Sequence, residues 1–263
     1  MDLGLTDLRV LVPAASRGLG AAAARRFSLE GAQVAICSRS QEQIEATAHH
    51  IQQETGNRVV PLVADVSNAA QAQALVEQAA GALGGLDILL TNAGGPPSGA
   101  FETLSLEAWE QAVQLTLLSA ASLIRAALPY LRQSRHPAVL TLTSYSAKQP
   151  IPNLALSNTL RAGVIGLTKT LANELGPDGI RVNSIMPGWT RTERIVELME
   201  ARAEVKGTTA AEEMAAQTAA IPLRRMADPE EFARVAVFLC SPAASYVHGA
   251  MIPVDGGAIQ AAL

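Results

Sequence analysis

Three observations in the sequence predict a doubly wound α/β fold, a seven-stranded parallel sheet flanked by helices. Short apolar runs of strand length alternate with helical segments along nearly all of the 263 residues. The first run opens into a loop of small residues and glycines, Pro13-Ala14-Ala15-Ser16-Arg17-Gly18-Leu19-Gly20, that leads directly into a helix. Later runs end on small or polar residues, which a parallel sheet of this kind collects along one carboxyl edge.

Bulk composition sets the frame. Hydrophobic residues make up 49% of the chain, enough to bury the core of one large domain over residues 1–263. No unbroken apolar run reaches the roughly 18 residues a membrane span needs. The segment Met1–Asp7 carries acids and no basic region, which reads against a signal peptide. A net charge of −4 with scattered basic residues argues against nucleic acid as a partner. The two cysteines, Cys37 and Cys240, lie in apolar runs and read as buried free thiols in a reducing compartment, so a cytoplasmic location is expected. His49, His50, His136 and His248 show no metal-ligand spacing, and no metal is expected.

Leu8–Val12 is the first strand, and Leu19–Glu30 a helix that stops at Gly31. A glycine loop at a helix N-terminus presents backbone N–H groups to a phosphate. Gln33–Cys37 is the second strand, closed by Ser38-Arg39-Ser40. An acid at this point would bind the ribose 2′-hydroxyl of a dinucleotide, whereas an arginine accommodates a 2′-phosphate. No acid follows until Glu42, and Arg39 is joined by Arg17 of the loop, which favours NADP(H) over NAD.

Gln41–Glu54 forms a polar-faced helix ending at Gly56, and Val59–Val66 a third strand carrying Asp65 at its end. By itself that Asp reads as a helix cap, ahead of the helix from Asn68 to about Leu83. Leu86–Thr91 is the fourth strand, with Asn92-Ala93-Gly94 letting backbone approach a ligand closely. Ser105 starts a long helix running to about Leu131. Pro137–Ser144 is the fifth strand and Gly179–Met186 the sixth, leaving through Pro187-Gly188-Trp189-Thr190-Arg191-Thr192. Glu193–Arg225 is amphipathic and helical, Asp228 and Pro229 open a further helix, and Val247–Asp255 closes the chain as a strand before Gly256-Gly257.

Taken in order, these motifs resemble the short-chain dehydrogenase/reductase family over about residues 8–257, with no insertion large enough for a second domain. The overall pattern is most similar to the 3-oxoacyl-carrier-protein reductase type. The glycine loop departs from the family, since Ala14 stands where its first glycine would be. The resemblance implies a Rossmann-type cofactor site. Ser16, Arg17, Gly18, Leu19 and Gly20 would hold the dinucleotide phosphates, and Asp65 and Val66 would lie beside the adenine. Asn92, Ala93 and Gly94 stand for its Asn-Asn-Ala-Gly motif, and Pro187, Gly188, Thr190 and Thr192 for the segment that holds the nicotinamide. It also implies a mobile substrate lid over about 190–225 and a homotetramer.

The catalytic segment departs further. In the family register Ser144 is the expected serine, but Ser157 holds the tyrosine position and Arg161 the lysine position. Counting thirteen residues back from Pro129, where the family keeps an Asn, reaches Thr116. A serine hydroxyl is a far weaker acid than a phenol, and arginine keeps the charge of lysine without being its equivalent. Tyr145, directly after Ser144 and three residues before Lys148, is the replacement acid; the alternative is a structural tyrosine. The resulting expectation is an NADP-dependent oxidoreductase that interconverts a carbonyl and a secondary alcohol on a small-molecule substrate, such as a 3-oxoacyl thioester or a related ketone. The alternatives are an NADP-binding subunit or sensor that has lost catalysis, and altered chemistry such as dehydration, for which no base is evident.

Overall fold

The computed structural model describes residues 2–261. Its first half contains β1 (Arg9–Val12), α1 (Gly18–Leu29), β2 (Gln33–Ser38), α2 (Gln41–Thr55) and β3 (Val59–Val63). It continues with α3 (Ala69–Leu83), β4 (Ile88–Thr91), α4 (Leu106–Val113) and α5 (Ser119–Leu131). The second half contains β5 (Ala138–Leu142), α6 (Ala155–Leu175), β6 (Arg181–Pro187), α7 (Glu193–Lys206), α8 (Ala210–Ala220), α9 (Pro229–Cys240) and β7 (Met251–Val254).

All strand pairings are parallel, in the order β3-β2-β1-β4-β5-β6-β7. The order reverses between β1 and β4, so the crevice outside their carboxyl ends is where such a sheet binds ligands. Successive strand residues face opposite sides. Val10, Val12, Val34, Ile36, Ile88 and Leu90 pack under α1, α2 and α9, whereas Leu11, Ala35, Leu89, Val139 and Val182 pack under α3, α5 and α6. Helix α1 shows the matching stripe, burying Gly20, Ala23, Ala24 and Phe27.

The structure refines four expectations. The fifth strand stops at Leu142, so Ser144 lies beyond it in extended backbone and caps a 3₁₀ turn at Tyr145–Ala147, accepting from the Ser146 N–H (3.1 Å). Asp65 does not cap α3. Asn68 does, accepting from the N–H groups of Ala70 and Gln71, while Asp65 accepts from the Ser67 N–H (3.0 Å) and hydroxyl (2.7 Å). The single long helix is broken by a π-helical segment at Gln114–Leu118, a widening that local propensity does not signal, and Pro129 sits inside its last turn rather than ending it. Leu106–Leu131 is long and apolar enough, by length and composition, to cross a membrane, but its face with Leu123, Ile124, Ala127 and Leu131 is buried against the sheet and α3.

Burial pushes the Cys37 thiol up to about 11 and Cys240 up to about 12, so both stay protonated, packed hydrophobes at neutral pH.

Candidate active site

A groove of about 470 Å³ runs along the carboxyl edges of β1, β2 and β4. Its floor is the loop from β1 to α1, pinned on three sides. The Ala15 N–H donates to Cys37 O (2.9 Å), Asn92 Nδ2 donates to Ala14 O (3.0 Å), and the Thr47 hydroxyl donates to Ser16 O (2.8 Å). Gly20 is there for space, because a Cβ would lie 2.6 Å from Ala14 O and 2.8 Å from Asn92 Nδ2. Helix α1 has neither a side-chain cap nor an acidic residue in its first turn. Its free N–H groups and dipole therefore face the groove without a resident anion, the arrangement that receives a diphosphate.

At the far end lie Ser38, Arg39 and Ser40, with Gln43 and Asp65. Ser40 caps α2, accepting from the Gln43 N–H (3.3 Å), and its own N–H donates to Ser38 Oγ (3.2 Å). Arg17 leans across to Glu197 of α7 (3.2 Å) rather than towards Arg39. Both partners of that pair are well exposed, so it is weak and leaves Arg17 free to turn. Asp65 is held below the usual carboxylate range, chiefly by the Ser67 hydroxyl and more weakly by Arg39.

A second cavity of about 420 Å³ adjoins the groove, sharing Leu19, Gly95, Thr143, Arg161, Pro187, Thr192, Arg194 and Glu197 with it. Here the fold brings Ser144, Tyr145, Ser157 and Arg161 together, against an apolar wall that includes Ile151, Leu154, Trp189, Ile195 and Leu198. Ser157 and Arg161 share one face of α6 at a spacing of one helical turn. Arg161 does not project freely. Its Nη1 donates to Leu142 O (2.6 Å), its Nη2 donates to Gly94 O (2.8 Å), and its buried Nε has no partner. Burial, helped by the charge of Arg194, pulls Arg161 down to about 10. The buried Thr116 hydroxyl, in the π-helical segment that packs on α6, likewise has no partner among the described residues.

Tyr145 is buried in a cluster with Trp189, Met199, Ile221 and Met226, the last four from the exit of β6, α7 and the stretch between α8 and α9. Trp189 Nε1 donates to Tyr145 Oη (2.6 Å). An indole N–H can only donate, so the phenol oxygen accepts and its own hydrogen stays available. Burial pushes the phenol above its usual value of 10.0, against the opposing pull of Trp189 and Arg202. Arg202 of α7 stacks over the Trp189 ring at 5.1 Å, tying α7 to this corner.

Of the cofactor positions read from the sequence, Ser16, Arg17, Gly18, Leu19, Gly20, Arg39, Asp65, Val66, Asn92, Ala93, Gly94, Pro187 and Thr192 line the groove. Gly188 and Thr190 line the second cavity instead. Gly188 is a packing glycine, since a Cβ there would lie 2.6 Å from Asp255 Cα, and Thr190 is buried. Lys148 lines neither cavity. Sequence reasoning passed over Ser38, Ser40, Gln43, Trp189 and Arg194. Ser40 was detectable as an N-cap residue directly before a helix; Arg194 carried no signal, because only the packing of α7 brings it to the cavities.

A model of the family described as enoyl-(acyl carrier protein) reductase matches residues 14–258. The chain is 34% identical over 250 residues to dehydrogenase/reductase SDR family member 4 of Sus scrofa, covering 94% of this chain and 85% of that one. Among solved structures, L-sorbose reductase from Gluconobacter frateurii, complexed with NADPH and L-sorbose, superposes with a TM-score of 0.94 at 30% identity, over 99% of this chain and 100% of that one. A short-chain oxidoreductase from Pseudomonas aeruginosa PAO1, described as containing an atypical catalytic center, superposes with a TM-score of 0.90 at 34% identity, over 98% of this chain and 100% of that one.

Proposed function

The chain belongs to the short-chain dehydrogenase/reductase family, and from that premise we propose that it is an NADP-dependent oxidoreductase interconverting a carbonyl group and a secondary alcohol. One observation carries the reading: a cavity holding a hydroxyl and a buried phenol opens directly into a groove shaped for a dinucleotide. The reading includes one domain carrying both sites, a small-molecule substrate and, from the family pattern, a cytoplasmic homotetramer.

A nicotinamide dinucleotide bound in the groove supplies the hydride. The first turn of α1 receives its diphosphate, and Arg39 with Ser38 and Ser40 receives a 2′-phosphate where NAD-selective sites carry an acid. The NADPH complex of the superposing L-sorbose reductase supports the same choice.

On the substrate side, Ser144 orients the carbonyl oxygen through its hydroxyl. Tyr145 donates the proton, because Trp189 occupies the acceptor side of its oxygen and leaves the O–H free. Burial keeps that phenol protonated through neutral pH. Ser157 is too weak an acid for this step, and Arg161 orders the cavity by bridging Leu142 and Gly94.

The test is an NADPH titration followed by NADPH consumption across ketones, dicarbonyls and 3-oxoacyl thioesters. Consumption is expected, and Tyr145→Phe is expected to lower it by about 100-fold or more while NADPH still binds. Unchanged turnover in Tyr145→Phe would remove Tyr145 from the chemistry. Tight NADPH binding with no consumption on the panel would favour a binding-only protein, a reading that the main-chain tethering of Arg161 also suits.

A further inference from the structure

We propose that the cavity beside Ser144 and Tyr145 selects a carbonyl substrate that also carries a carboxylate, with Arg161 and Arg194 as the clamp for that anion. The fate of the carbonyl rests on the oxidoreductase reading above; recognition of the anion does not.

The two arginines come from different elements and meet on one short loop. Arg161 of α6 donates to Gly94 O (2.8 Å), and Arg194 of α7 donates to Pro96 O (2.8 Å). The Arg194 guanidinium lies against Gly95, where a Cβ would fall 2.7 Å from its Nη2 and 2.9 Å from its Cζ. A side chain at 95 would push the guanidinium out of this position. Both residues line the cavity and the adjoining groove.

Neither guanidinium has a carboxylate within 4.0 Å among the described residues, whereas Arg9, Arg17, Arg25, Arg191 and Arg225 each do. Burial pulls each guanidinium below its ordinary value, Arg194 adds to that effect on Arg161, and the charge of Glu197 offsets it only in part at Arg194. Removing charge from water without a partner is costly, so such a pair marks a site completed by an anion. A carboxylate matches the planar donors of guanidinium and makes charge-assisted hydrogen bonds with them.

A cofactor phosphate is the other source of an anion. The groove already provides for those phosphates at the first turn of α1 and at Arg39, and Arg161 and Arg194, which line both spaces, stand where the groove meets the substrate cavity. The same cavity is lined by Ile151, Leu154 and Leu198, which suit an apolar substrate body, and by Glu197, whose carboxylate is paired with Arg17 (3.2 Å). An oxo acid with an alkyl or aryl body has this chemistry.

The test measures binding apart from turnover. Calorimetric titration of the NADP⁺-saturated protein with hexanoate and with hexanamide is expected to show about tenfold or more tighter binding of the carboxylate. Arg194→Met is expected to erase that preference and Arg194→Lys to keep part of it. Gly95→Ala, which displaces the guanidinium without removing it, is expected to reduce the preference as well, and serves should Arg194→Met fail to fold. Equal binding of hexanoate and hexanamide would overturn the proposal. So would hexanoate binding seen only without NADP⁺ and competed away by it, which would assign the arginines to the cofactor. In turnover, benzoylformate is expected to be preferred over its methyl ester. Selective hexanoate binding without NADPH consumption on any oxo acid would defeat the oxidoreductase reading alone, and consumption of acid and ester alike with equal ligand binding would defeat this one alone.

Discussion

Single residues in this protein carry costs that their neighbours compensate. Ala14 adopts φ +48, the left-handed region that an alanine side chain disfavours, at the point where the family expects a glycine. The strain is held by the Asn92 amide donating to Ala14 O. Relief of about 1–2 kcal/mol, less the roughly 0.4–1 kcal/mol of extra unfolded-state entropy that glycine brings, predicts that Ala14→Gly stabilises the protein by about 0.5–1 kcal/mol. Thermal unfolding would show this as a rise of about 2–4 °C at most, and a fall would mean that the methyl group packs favourably enough to outweigh the strain. Tyr145 shows the same logic in another form. Its ring is fixed by packing on Trp189, Met199 and Met226, and its oxygen is committed on one side only, so a residue buried like a core tyrosine still keeps a proton to give.

At the scale of elements, the register of α1 against the loop is set by a glycine, and two glycines predict opposite effects. A Cβ on Gly20 would meet backbone and a fixed amide at 2.6–2.9 Å, groups that cannot move aside without shifting the helix. Gly20→Ala is expected to cost about 1–3 kcal/mol and to weaken NADPH binding, since α1 must retreat from the groove. Gly81, inside α3, has nothing within 4 Å of a Cβ and an ordinary φ, so Gly81→Ala is expected to gain about 0.5–1 kcal/mol with NADPH affinity unchanged. Chemical denaturation with parallel NADPH titrations checks the pair. Gly20→Ala folding and binding normally would show that the loop is softer than its three tethers imply.

Across the whole molecule, stability and chemistry occupy opposite edges of the sheet. The carboxyl edge holds the groove and the cavity. At the amino edge Asp87 accepts from the Arg9 N–H (2.8 Å), from Arg9 Nε (2.7 Å) and Nη2 (2.8 Å), and from the Ser134 hydroxyl (2.5 Å), joining the start of β1 to β4 and the approach to β5. Burial alone would raise this carboxyl, but its bonds to Arg9 and Ser134 outweigh that and hold it below its ordinary 3.8. A depressed carboxyl stabilises the fold fully above that ordinary value, and the contribution is lost as the pH falls through the lower folded value. Asp87→Asn is therefore expected to cost about 2–3 kcal/mol at neutral pH, with NADPH affinity unchanged. The gap from the parent protein should narrow in acid below 3.8, as measured by melting temperature against pH. A gap independent of pH would show that packing, not charge, makes the link.

Much of this was legible in the sequence, for reasons that are local. Apolar runs of strand length and helical stripes are set by residues within a turn or two of each other, so the alternation, the parallel sheet and the glycine loop could be read directly. A parallel sheet then gathers its strand ends on one edge, which is why Gly18, Asn92 and Thr192 were placeable in one groove without coordinates. The tertiary structure alone decided how side chains from distant segments meet. Spacing says nothing of Trp189 reaching Tyr145, of Thr116 lying in a π-helical turn, or of the left-handed backbone at Ala14. Nor does it bring Arg161 and Arg194 to neighbouring carbonyls of Gly94 and Pro96. Those outcomes depend on how α6 and α7 pack beside the sheet, and a side chain's direction there is fixed by contacts with residues far away in the chain.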